Sequence, residues 1–386
     1  MSMDLTLRLR ATVDEGAAVI LRETIAQYTA SFNRVCAVGW DVPRLNGVEL
    51  HHETYAAERA ATDLPAQLVC SARVKATEAI ASCRTRARKG KKVSCPHSRR
   101  AAIRYDARSA KIHLAEGYAT LATVSGRQRV ALSIPPCHAG RVDLPVRSSD
   151  LCVDRKGRLW LHVVVQAPET TVAPTGEVVG VDLGVACPAV TSGNRFLGKR
   201  RWREVEARSF RLRRALQAKG TRSAKRHLRK VSGRQERFRR DCDHVLSKRV
   251  VQSVEPGTTL VFEDLTDIRD RMKGRKRQRR RLHSWSFSRL FGFAQYKAAL
   301  AGVAVATVDP RYTSQKCSRC GHREKANRPS RGDFRCKQCG FCLHADLNAA
   351  RNIGANHLAS LATRGTGGPQ SGGLSRRDPA AASPRL

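Results

Sequence analysis

TSQKCSRCGHREKANRPSRGDFRCKQCGFCLHADLNAARNIG, residues 313–354, carries two Cys-x-x-Cys pairs, Cys317 with Cys320 and Cys336 with Cys339, separated by fifteen residues. That spacing is the signature of a zinc ribbon. Each pair puts two thiolates on one tight turn, and two facing turns complete a tetrahedral four-sulfur shell with no open position. A Zn2+ held this way is structural rather than catalytic. Gly321 and Gly340 follow the second cysteine of each pair, where the turn calls for a positive φ. Cys342 is surplus to the shell and reads as a non-ligand. Directly afterwards, HADLNAARNI (344–353) starts a helix whose small face, Ala349, Ala350 and Gly354, suits close packing. Asp346 stands at its beginning, where an Asp can serve simply as an N-cap worth about 1 kcal/mol.

Two upstream acids change the weight on Asp346. EVVGVDLGVACPAV (177–190) reads as apolar strand broken at Asp182 and Gly184. An acid inside such a run carries a desolvation cost unless it is paired or bound to a metal. TTLVFEDLTDI (258–268) is a second apolar strand, ending on Glu263. Its neighbour Asp264 should face the other way, because strand residues alternate. Strand acid, strand-end acid and helix-start acid, in that order, resemble the RNase H-like nucleases of the RuvC type. In those, three carboxylates at a sheet edge hold two divalent ions roughly 3.5–4 Å apart on a phosphodiester. Carboxylates suit Mg2+, which takes hard oxygen ligands.

GVDLGV with Asp182, FEDL with Glu263, the four ribbon cysteines and HADLNAARNI with Asp346 together resemble the TnpB family, RNA-guided nucleases encoded by IS200/IS605-type transposons and related to the type V CRISPR effectors (Cas12). The matching motifs span residues 178–354. The resemblance implies an α/β multidomain protein: an RNase H-like (RuvC) nuclease domain with an inserted zinc ribbon, plus an N-terminal wedge β-barrel interrupted by a helical recognition lobe. It implies catalytic Asp182, Glu263 and Asp346 binding Mg2+, and Cys317, Cys320, Cys336 and Cys339 binding Zn2+. One ion would activate a water and the other stabilise the leaving 3′ oxygen. The implied partners are a guide RNA (a transposon-derived ωRNA or crRNA-like RNA) and a double-stranded DNA target beside a short adjacent motif.

Composition agrees. The chain has 386 residues with a formal net charge of +39, which calls for a polyanionic partner. Thirteen cysteines without a secretory signal point to reduced thiols in the cytosol rather than a disulfide framework, and the resemblance implies that this is a prokaryotic cytoplasm. No apolar run approaches ~18 residues, so no membrane partner is expected. A monomer is the favoured state.

In the N-terminal half, DLTLRLR (4–10) alternates as a strand, and helices are expected at 15–38, 51–61 and 66–88. The last runs into the basic RTRARKGKK (84–92). Cys70, Cys83, Cys95 and His97 have irregular spacings, and whether they bind a second metal stays open. Residues 101–167 turn to β patterning, with a hairpin turn at Arg155-Lys156-Gly157, and read as a small antiparallel barrel that strand 4–10 could complete. TVAPTGE (171–177) reads as a linker. Further on, residues 201–253 read as two basic helices parted near Gly220, a surface hairpin by its pattern alone, which the resemblance implies lines a guide–target duplex. The run RDRMKGRKRQRRR (269–281), nine basic residues in thirteen, reads as a loop that orders on nucleic acid. Trp285 packs in the core or stacks on a base, ahead of an apolar helix at 286–302 and a strand at 303–308.

The expected domains are 1–12 with 100–170 (wedge), 13–99 (helical lobe), 175–312 with 343–362 (nuclease), 313–342 (ribbon) and a disordered tail, 363–386. Three functions compete: RNA-guided DNA endonuclease of TnpB or compact Cas12-like type, non-cleaving DNA-binding regulator, and strand-transfer transposase. The intact acids weigh against the second, and the ribbon ahead of Asp346 weighs against the third.

Overall fold

A computed structural model describes residues 2–42, 46–184, 187–266 and 287–365. The basic run 269–281, Trp285 and the tail beyond residue 365 lie outside the described residues. The chain divides into two compact units, the second beginning at Glu169.

In the first unit, β1 (Ser2–Thr12) is followed by α1 (Glu15–Asp41), α2 (Gly47–Ala61) and α3 (Ala66–Arg88). Asp14 caps α1 by accepting from the Ala17 N–H at 2.7 Å. Six strands follow: β2 (Ile103–Tyr105), β3 (Ala110–His113), β4 (Tyr118–Thr123), β5 (Gly126–Ser133), β6 (Val146–Val153) and β7 (Leu159–Pro168). They form one antiparallel sheet in the order β2-β6-β7-β1-β5-β4-β3, with the first strand of the chain at its centre. Leu7 and Leu9, alternating along β1, lie in a single core with Leu21 and Tyr28 of α1, Leu68 and Ala72 of α3, and Val163 and Val165 of β7. Helices and sheet therefore share one interior. The outer strands β2 and β3 are consecutive in the chain, joined through the Asp106–Ser109 turn, so the sheet rolls over. Among the described residues no ladder joins them; Tyr105 Oη of β2 instead donates to Ala122 O of β4. The expected barrel is thus open at this seam, because the turn hands β2 to β6 and β3 to β4 as separate partners.

The second unit is built on β8 (Val178–Asp182), β9 (Ala189–Thr191), β10 (Arg195–Leu197), β11 (Thr259–Glu263) and β12 (Ala304–Val308), in the order β10-β9-β8-β11-β12. β8, β11 and β12 run parallel, while β9 and β10 fold back antiparallel beside them. Between β10 and β11 stand α4 (Arg200–Lys219) and α5 (Arg222–Val251), parted at Gly220, which takes φ 64°. Arg239 and Glu206 pair across this hairpin at 2.5 Å. α6 (Phe287–Leu300) lies on α5, pinned by Arg289 to Asp243 and Glu236, and by Lys297 Nζ donating to Ser247 Oγ and His244 O.

Alternation along the strands sorts the two faces of this sheet. Val179 and Val181 of β8 and Leu260 and Phe262 of β11 share a core with α5 and α6. Gly180, Val261 and the two terminal acids point the other way, toward the final helix α7 (Ala345–Gly365). α7 reaches three residues into the expected disordered tail, since Thr363 Oγ1 still bonds back to Ala359 O along the helix. Among the described residues no helix is long and apolar enough to cross a membrane.

Candidate active site

Asp182 is the last residue of β8 and Glu263 the last of β11. The parallel register that sets Phe262 beside Val181 brings Glu263 beside Asp182 at the next step, on the face that α7 covers. The carboxyl ends of adjacent parallel strands are where open α/β sheets place their sites.

Asp346 arrives on α7, and one close approach sets its position. A Cβ at Gly180 would stand 2.0 Å from Ala350 O and 2.6 Å from Gly354 N, so only glycine lets the helix backbone touch the strand there. The small face expected from the sequence is what seats the helix: Ala349 and Ala350 are buried, and Gly354 faces Gly180. Asp346 does not cap α7. It is the second helical residue, and its N–H donates to Nδ1 of His344, the residue before the helix, at 3.2 Å. Its carboxylate meets Arg328 Nη2 at 3.4 Å.

The electrostatics tie the three acids together. Burial, then repulsion from Glu263 and Asp346, pushes the Asp182 carboxyl up to about 8, with Arg328 opposing. Burial also raises Glu263, against the Thr313 hydroxyl that donates to its Oε1 at 2.6 Å. A buried carboxyl raised further by two carboxylate neighbours belongs to a donor set suited to a divalent cation. They are not drawn into a tight knot: among the described residues, the one group of metal-ligating side chains gathered within 4.8 Å is Cys317, Cys320, Cys336 and Cys339. Asp264, one residue past the end of β11, is exposed and accepts from the Thr266 N–H.

In the ribbon, Cys317 Sγ lies 3.8 Å from Cys339 Sγ, and Cys320 Sγ lies 3.5 Å from Cys336 Sγ. A tetrahedral shell with metal–sulfur bonds of about 2.3 Å has edges of about 3.8 Å, so the four thiols fit such an ion. The Cys339 backbone N–H donates to Cys336 and lowers that thiol toward the thiolate a metal needs, while hydrogen bonding among the cysteines raises Cys320, so the cluster shares its protons. Gly321 and Gly340 take φ 79° and 68°, as expected of the turns. Cys342 is exposed and bonds Gly340 O, outside the cluster. Cys70, Cys83, Cys95 and His97 form no comparable group; Cys95 Sγ faces Cys36 O at 3.5 Å.

Sequence reasoning passed over the residues that join ribbon to acids. Asn348 and Asn352, fully buried on α7, donate to Lys316 O at 2.8 and 2.6 Å, and Asn352 also donates to Thr313 O at 2.8 Å. Ser318 N–H returns a bond to Asn348 Oδ1. Thr313, held this way, is the residue that touches Glu263. Two amides at i and i+4 on an otherwise small, apolar helix face were the available signal.

A mixed α/β sheet with acids at the ends of adjacent strands and a four-cysteine cluster ahead of its last helix defines the class of protein, and comparison with known proteins agrees. Residues 287–353 match the family described as Cas12f1-like, TNB domain. A CRISPR-associated endodeoxyribonuclease Cas12f1 of Sulfoacidibacillus thermotolerans is 32% identical over 227 residues, covering 54% of this chain and 52% of the relative. A TnpB-like protein of Methanocaldococcus jannaschii is 35% identical over 126 residues, covering 32% of this chain and 45% of the relative. The chain thus spans about half the length of the curated relatives it matches. A solved Cas12f1-sgRNA-target DNA complex shares the fold, with a TM-score of 0.63 at 16% identity over 89% of this chain and 83% of that one. The chain is related to the TnpB and Cas12f1 proteins, as its motifs lead one to expect.

Proposed function

We propose that this protein is an RNA-guided DNA endonuclease that cuts at Asp182, Glu263 and Asp346. The observation that carries the reading is the convergence of three acids, far apart in sequence, on one sheet edge, where Glu263 and Asp346 both act on the Asp182 carboxyl. The relatives' names supply the substrate class: a Cas12f1 endodeoxyribonuclease, and a complex of Cas12f1 with single-guide RNA and target DNA. On this reading the second unit is a RuvC-like nuclease domain interrupted by a zinc ribbon. The rolled sheet and helices of the first unit are the wedge and recognition lobe.

Asp182, Glu263 and Asp346 would hold Mg2+, which when bound neutralises phosphate charge and polarises the scissile group. The protein's own residues do the positioning. Thr313 orients the Glu263 carboxylate, Arg328 steadies Asp346, and the Gly180–Gly354 contact fixes the distance between strand and helix. Cys317, Cys320, Cys336 and Cys339 would hold a structural Zn2+ that keeps the Thr313–Ser318 segment folded against α7. The basic α4–α5 hairpin suits a phosphate backbone, so binding should weaken steeply with salt.

The test is cleavage of a target library by the protein purified with the RNA of its native locus. Asp182→Ala is expected to reduce cutting by about a thousandfold or more while leaving DNA binding intact. Undiminished cutting by that variant would refute the site.

A further inference from the structure

Beside Asp346 the second unit holds a cavity of about 370 Å³ that the three acids do not explain. Its walls come from the end of β10, the start of α4, the ribbon and the approach to α7. Phe196, on β10, is 46% exposed and stands edge-on to His344 with ring centroids 4.8 Å apart. Lys199, Arg203 and Arg331 add three cations, and Asp346 is the one acid among the lining residues. The wall is built rather than incidental. Gly198 takes φ 135°, and a Cβ there would stand 2.7 Å from Pro188 Cδ, so the turn from β10 into α4 can fold against Pro188 only with glycine.

A solvent-facing aromatic ring costs hydration free energy unless something stacks on it, and three cations around it ask for an anion. One chemical class answers both: a nucleotide, with a planar base and a phosphate. The volume lies at the lower end of ligand cavities, about 300–1,000 Å³, which suits one such unit. We infer that this cavity is a subsite for one nucleotide of the DNA strand being cut, its base stacked on Phe196 against His344 and its phosphate met by Lys199, Arg203 and Arg331. A strand anchored there runs past Asp346, so the subsite sets which phosphodiester reaches the acids. Stacking on an aromatic side chain is indifferent to base identity, so the subsite fixes position rather than sequence. The inference rests on the nuclease reading for its choice of DNA.

The experiment uses the guide-loaded protein on target DNA carrying 5-iodouracil at successive nucleotides on either side of the cut, with magnesium left out of the buffer and no chelator added so that the ribbon keeps its metal, followed by irradiation and mapping of the cross-linked residues. One nucleotide position is expected to cross-link at Phe196 or His344. With magnesium restored, Phe196→Ala should lower kcat/KM about tenfold or more and spread the cut over neighbouring bonds, while Phe196→Trp keeps both rate and position. The subsite is wrong if no position cross-links to the cavity, if only the guide RNA does, or if the Ala and Trp variants cut alike. Efficient cutting by Phe196→Ala overturns the subsite and leaves the nuclease reading standing. A parent protein that never cuts removes the nuclease reading, and the cross-link map then reads the subsite separately.

Discussion

The ribbon and the acid pocket are neighbours built on opposite principles. The four thiols come from two turns of one segment and sit within 4.8 Å of one another. The three acids come from two strands and a helix and stay further apart, with Asp182 holding its proton up to about 8. Local turns can gather ligands cheaply because their own N–H groups, such as that of Cys339 on Cys336, steady the thiols before metal arrives. Carboxylates resist being gathered, so their site must be imposed by packing elsewhere, here by bare backbone at Gly180 and Gly354.

Removing the zinc proposed for the four thiols should break the contrast most severely. Structural zinc in small fingers is worth about 10–16 kcal/mol of folding free energy, so Cys336→Ser is expected to lose the bound metal and unfold residues 313–344. Metal content by mass spectrometry and hydrogen exchange across the ribbon check this; full exchange protection without metal would show that the thiols are not its scaffold. Next in size is Gly180→Val. A side chain aimed at Ala350 O must push α7 away, costing about 3 kcal/mol or more, and cutting should fall with stability even though no acid has changed. A melting curve alongside a cleavage rate tests it, and an unshifted pair would mean that the close approach does not seat Asp346.

The smallest effect concerns pH. In the magnesium-free protein the folded state keeps a proton on Asp182 up to about 8, whereas the unfolded chain releases it near 3.8. The folded state therefore binds more protons between those values, and this carboxyl costs stability as pH rises from about 4 to 8. Asp182→Asn should flatten that slope and raise magnesium-free stability at pH 8 by on the order of 1–3 kcal/mol, local relaxation discounting the full shift. Denaturation without magnesium or chelator, the ribbon metal left in place, at several pH values measures it; parallel slopes for parent and variant would place Asp182 outside the shared field.

What the sequence made legible follows the same division. Helix α3 spans residues 66–88 and the thiol turns lie at Gly321 and Gly340, as periodicity and spacing predict, because both are settled within a few residues. The seam in the first sheet was not legible, since strand composition does not say whether β2 and β3 meet. Nor were Asn348 and Asn352, whose partners lie some thirty-odd residues upstream. The small face of α7 was read correctly, yet its partner Gly180 looked like one more residue of a buried strand. The exposure of Phe196 depends on how β10 folds back, which no alternation pattern reports.

Because α7 carries Asp346 as well as the amides that grip Thr313 and Lys316, the polypeptide gains its third carboxylate and its ribbon anchor within a single pair of helical turns. A ribosome that has not yet reached them holds a strongly cationic chain with two of its acids already made. Positive charge thus precedes the completed pocket during synthesis, and α7 is the element that brings the third acid to it.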